Sequence, residues 1–243
     1  MKHAVPLMLV AASALAMSGA ASAQDDPQIG SRLVHRKTID VDRDHATAMR
    51  IAHEMFSCAV MHFPNAARQY LASKRTEEAA PYWKQMFGTE LSCSNISGVS
   101  DLATDTQVIP PEDVSRGLIA EALLSHMGKP SLDAAPLEHV YHADWTVISG
   151  RATAIDDMAM CVASTNPAGI EHVLATIPET PDEMAAISGL SPSLGQCLVA
   201  NAKLTANREG LRAALAEALY HRIADQTSAP APAALASTTA PGK

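Results

Sequence analysis

Two stretches, 115-SRGLIAEALLSH-126 and 211-LRAALAEALYHR-222, share an Arg followed at one spacing by Ala-Glu-Ala-Leu. In the second, Leu211, Leu215, Ala218, Leu219 and Ile223 recur with the period of an α-helix. In the first, Leu118 or Ile119, Ala122, Leu123 and Met127 do the same. Both stretches are therefore read as helices with one apolar face.

Other landmarks repeat in the same order. Pro64 lies six residues after Cys58, and Pro167 six after Cys161; Leu71 and Leu174 each lie thirteen residues beyond those cysteines. Cys93 follows Cys58 by 35 residues, and Cys197 follows Cys161 by 36. Four landmarks in one order imply an internal duplication with a period near 103 residues. The copies differ most before the last helix, where 22 residues separate Cys93 from Arg116 and 14 separate Cys197 from Arg212. A surface loop absorbs such a difference at little cost.

The punctuation is helical. Asn166 is a natural N-cap, with Pro167 at the first helical position. Thr180 and Glu183 form a capping box around Pro181. Ser191-Pro192 reads as a further helix start. Pro110-Pro111 opens the helix containing Arg116, and Gly128 with Pro130 closes it. Between Asp44 and Phe63, the residues Met49, Ala52, Phe56, Ala59 and Phe63 share another helical face. Four or five helices per copy are expected. Strand character is confined to 32-RLVHRKTIDV-41 and 139-HVYHADWTVI-148, which allows a short pairing at most.

The N-terminal residues 1–23 carry Lys2, an apolar run and Ala21-Ser22-Ala23, the pattern of a cleavable signal peptide ending at Ala23. The apolar run is too short to span a membrane, and no later segment has about 18 unbroken apolar residues. Export to the periplasm or the medium is expected, and no membrane span after cleavage. Loss of Lys2 leaves 17 Lys and Arg against 26 Asp and Glu. That balance argues against nucleic acid and anionic membrane surfaces as partners. An unknown protein or a small molecule remains as the expected partner.

Four cysteines in an exported chain read as two disulfides, with three connectivities open. The duplication favours Cys58–Cys93 and Cys161–Cys197, one staple per copy. No C-x-x-C pair supports a metal reading.

The pattern of Cys, Pro, Leu-Ala-[Ser/Thr], second Cys and Arg-x-x-x-Ala-Glu-Ala-Leu resembles small exported proteins of alphaproteobacteria. The resemblance covers roughly residues 44–225. It implies no activity, cofactor or site residue.

The search for chemistry returns little. Gly189-Leu-Ser-Pro-Ser193 lacks the final Gly of a nucleophile elbow. His53-Glu-Met-Phe-Ser57 lacks the second His of a zinc-protease helix. No phosphate loop or dinucleotide fingerprint occurs, so no cofactor and no catalytic residue is assigned. His139 and His142, with Glu138 and Asp144 nearby, are the weak candidates for a metal, because two His three apart share a helical face. Arg116, Glu121, Arg212 and Glu217 are the candidates for an interaction. Each Arg and its Glu stand five apart, about 140° around a helix, so they do not pair within it. Either each Arg takes carbonyls at another helix's C-terminus while each Glu is solvated or caps another helix, or the four form a repeated interaction face. Phe56, Phe63, Tyr70, Tyr82, Trp83 and Phe87 all fall in the first copy, whereas the second holds only Tyr220.

The expected architecture is all-α: signal peptide 1–23, extension 24–43, helical unit 44–128, linker 129–150, helical unit 151–225 and a disordered Ala/Pro/Thr-rich tail 226–243. The expected role is a non-catalytic binding or envelope-associated one. The alternative is a hydrolase whose site assembles from distant residues around His53, His62 or the His139–His142 pair.

Overall fold

A computed structural model describes residues 34–35, 45–88, 93, 108–128, 132–138, 141–198 and 206–228. The signal peptide, His139 and the tail beyond Ser228 lie outside the described residues. Within them the fold is all-helical apart from one antiparallel ladder. Strand β1 (Val34–His35) pairs there with β2 (Val108–Ile109). The strand-like stretch at 139–148 supplies no strand among the described residues; Asp144–Ile148 is a 3-10 turn.

Among the described residues eight α-helices follow in order: α1 (His45–His62), α2 (Pro64–Ala72), α3 (Thr76–Phe87), α4 (Glu112–His126), α5 (Thr153–Thr165), α6 (Pro167–Leu174), α7 (Pro181–Cys197) and α8 (Arg208–Ser228). Prolines set three of the starts: Pro64, Pro167 and Pro181 occupy the first helical positions of α2, α6 and α7, where an absent N–H costs nothing. Asn166 caps α6 by accepting from the Gly169 N–H. Thr180 accepts from the Glu183 N–H. The other arm of the expected box is displaced by one residue, because Glu183 Oε2 takes the N–H of Glu179, not of Thr180.

Two starts and stops differ from expectation. Helix α7 runs unbroken through Pro192. Its buried stripe of Ala186, Leu190, Leu194 and Cys197 continues past the proline, and packing of that face outweighs the lost hydrogen bond. Helix α8 reaches Ser228, three residues into the segment expected as tail.

The apolar side chains form two clusters. The first gathers Met49, Phe56, Leu71, Met86, Ile119 and Leu123 from α1–α4, with Tyr220 of α8 at its edge. The second gathers Met158, Val162, Ile170, Leu190, Leu215 and Leu219 from α5–α8. Rings crowd the first, where Phe56, Tyr70, Trp83 and Phe87 form a tilted chain with centroids 4.4–6.0 Å apart. Helices α4 and α8 share the most extensive contact, while α1 and α2 pack on α4, and α5 and α6 on α8.

Both expected disulfides are present. Cys58–Cys93 and Cys161–Cys197 have Cα separations of 5.8 and 5.6 Å, within the usual range. The first ties α1 to Cys93, and the second ties α5 to the last residue of α7. On the chain-entropy model each contributes about 4 kcal/mol.

Candidate functional site

Helices α4 and α8 meet where Gly117 lies against Ala213; a Cβ built on Gly117 would overlap the Ala213 backbone. The residue before each carries a guanidinium, and the guanidinia are exchanged. Arg116 of α4 binds Glu217 of α8, with Nε 2.7 Å and Nη2 2.6 Å from Oε1. Arg212 of α8 binds Glu121 of α4, with Nη2 2.5 Å from Oε1 and Nε 3.0 Å from Oε2. A five-residue spacing forbids pairing along one helix and here serves pairing between two.

Each Arg also reaches back. Arg116 donates to the carbonyl oxygens of Tyr70 and Leu71 at the C-terminus of α2. Arg212 donates to those of Val173, Leu174 and Thr176 at the end of α6. A cation is favoured there, because the last carbonyls of a helix lack intrahelical donors. The four sequence candidates are thus brought together, and they lie inside the molecule rather than on an outer face. Arg116, Arg212 and Glu217 are buried and Glu121 is half-buried.

The two carboxylates sit in different surroundings. Glu217 is sealed. Arg151 places Nη2 2.5 Å from its Oε2 and Nε 2.7 Å from Asp156 Oδ1, and Ser149 Oγ donates to Asp156 at 2.5 Å. Trp145 covers this centre, stacked on His221 with centroids 4.6 Å apart. Burial works to raise the Glu217 pKa, but Arg151 and Arg116 outweigh it and hold the carboxyl well below its ordinary value. For Asp156 the balance is reversed, and burial raises it despite Arg151.

Glu121 is open on one side. Arg212 shares its charge with Glu183 of α7, Nη1 to Oε1 at 2.9 Å. Arg208 binds Glu179 and stands 3.3 Å from Glu183. His53 of α1 lies 3.6 Å from Glu121 Oε1. Burial lowers the His53 pKa, and Glu121 only partly opposes that. His53 and Glu121 border an open cleft of about 540 Å³ between α1 and α4, walled also by Glu54, Ser57, Met61, Leu118 and Ala122. Among the described residues Ser57 has no hydrogen bond to His53. A nucleophile-and-base pair is therefore not assembled there.

Of the two histidine candidates for a metal, His139 lies outside the described residues. His142 is exposed, and Tyr141–Ala143 belong to no regular element. Two groupings that spacing did not single out do occur among the described residues: His62 beside Cys58 and Cys93, and His45 with Glu179 and Glu209. In the first the sulfurs are joined to each other. In the second His45 contacts Glu209, while Arg208 occupies both oxygens of Glu179.

Sequence reasoning missed Arg151, Asp156 and Arg208. One signal was present: Asp156 falls on the apolar face of α5 beside Ile155, Met158 and Ala159, where a carboxylate requires a buried cation.

No family model, no curated protein and no solved structure matches the chain.

Proposed function

We propose that this is an exported, non-catalytic binding protein built from two tandem helical units, residues 44–128 and 151–225, with the α1–α4 cleft as its binding site. The observation that carries the reading is the reciprocal exchange of Arg116 and Arg212 between Glu217 and Glu121. It consumes the repeated charged residues in holding α4 to α8, and leaves the cleft beside Glu121 as an accessible polar-and-apolar concavity. The matching roles of the two Arg side chains, each on the carbonyls six and seven residues beyond Pro64 or Pro167, support a duplicated origin. Two disulfides support an oxidising compartment. No helix among the described residues is long and apolar enough to cross a membrane.

Hydrolysis is the rival, since His53, Glu121 and Ser57 line one cleft. It lacks the hydroxyl-to-imidazole hydrogen bond that would activate a nucleophile. The test pairs localisation with ligand screening. The expected result is a chain beginning at Gln24 in the periplasm or medium, whose Tm rises with added small-molecule fractions. Retention of residues 1–23 in the cytoplasm would overturn export. Ester or amide turnover abolished by His53→Ala would overturn the non-catalytic reading.

A further inference from the structure

Resting on that binding reading, we infer that the α1–α4 cleft takes an organic cation: an amine or quaternary ammonium carried on an apolar body. The α1 wall presents His53, Glu54, Ser57 and Met61 on one helical face, and α4 supplies Leu118, Glu121 and Ala122 opposite. Among the described residues no Lys or Arg lines the cleft. Glu54 is exposed at its edge, with no ion pair or hydrogen bond among the described residues. Glu121 presents its open side to the same space, while Arg212 holds it from the α8 side. His53, whose pKa burial lowers, offers an imidazole at the cleft wall. Met61 is 59% exposed, a large apolar side chain left in water at the cleft wall. A thioether adapts to varied apolar shapes. Carboxylates at the edge and wall, with apolar surface alongside, complement a positive head on a hydrocarbon body, and repel an anion of the same size.

The experiment is calorimetric titration of the disulfide-bonded chain with hexyltrimethylammonium, hexanol and hexanoate, read alongside the ¹³C-methyl resonance of Met61. The inference predicts saturable binding of the ammonium with a shift of the Met61 methyl, weaker binding of hexanol and none of hexanoate. Glu54→Gln weakens the ammonium by roughly fivefold, the scale of a partly screened charge pair. Met61→Lys, at an exposed position that leaves the fold intact by circular dichroism, abolishes it. Hexanoate or hexanol binding as well as the ammonium would overturn the charge assignment while leaving the binding reading standing. Ammonium binding that neither variant changes would overturn the location. Absence of binding by all three probes would overturn this inference, and the ligand screen would then judge the broader reading alone.

Discussion

The two charged centres at the α4–α8 contact start from one sequence word and end differently. At the first, Glu217 holds two guanidinia, with Asp156, Ser149 and Trp145 around them, and no solvent reaches it. At the second, Glu121 holds one guanidinium and faces a cleft. The difference traces to one position. Five residues before Cys161 stands Asp156, and five before Cys58 stands His53. The acid at that place draws Arg151 into the helix contact and closes it. The imidazole draws in no second cation and leaves its carboxylate half in water. The shared Arg and Glu thus pair the two helices, while their neighbours decide which centre is sealed and which opens on a cleft.

Several substitutions would sharpen or break this contrast. Glu217→Gln leaves Arg116 and Arg151 buried with too little negative charge, and should cost about 3–5 kcal/mol in denaturant unfolding. Glu121→Gln should cost only about 1–2 kcal/mol, because Arg212 keeps Glu183 and three carbonyls. Equal losses would erase the distinction between sealed and open centres.

The disulfides bear on the same contrast from outside it. Their closed loops are nearly equal, at 35 and 36 residues, so Cys58→Ala with Cys93→Ala and Cys161→Ala with Cys197→Ala should each lose about 4 kcal/mol. A large inequality would show that one half depends on its staple more than loop entropy requires. Gly117→Ala forces a methyl into the Ala213 backbone and should cost about 1–3 kcal/mol. At Gly189, where nothing lies near the added carbon, the same change should stabilise by up to about 1 kcal/mol.

The smallest effect concerns acidity. His53 faces Glu121 of α4, Arg212 of α8, Glu183 of α7 and Glu179 in the turn before it. Its folded pKa lies below the ordinary 6.5, so the unfolded chain binds the proton more readily. Its contribution to stability is whole above pH 6.5 and falls as the pH drops from there toward the folded value. Tm measured downward from pH 7 should therefore decline in that window, and His53→Gln should flatten the decline. Glu217 acts at lower pH in the same sense: its contribution is present above its ordinary 4.5 and is lost as the pH falls through the depressed folded value.

Much of the fold was legible because helices announce themselves through period and punctuation. The stripe Leu211, Leu215, Ala218, Leu219 and Ile223 is buried throughout, and Asn166 and Thr180 cap where they were expected to. The cysteine spacing led to both bridges. Pro192 misled, because a proline marks a helix start only when packing does not carry the helix across it. The site was half legible. The repeated Arg and Glu stood out, yet spacing alone could not say that each would cross to the other helix, since that depends on where Gly117 and Ala213 touch. Arg151 carried no signal of its own; its role follows from a three-dimensional meeting of Asp156 and Glu217.

The most direct test is a double-mutant cycle on Arg116→Met and Glu217→Leu, run beside Arg212→Met and Glu121→Leu. Reciprocal exchange predicts coupling of about 2–3 kcal/mol for the sealed pair, a smaller coupling of about 1 kcal/mol for the open pair, and none for Arg116 with Glu121. Additive losses across Arg116 and Glu217, or coupling of Arg116 with Glu121 within α4, would contradict it.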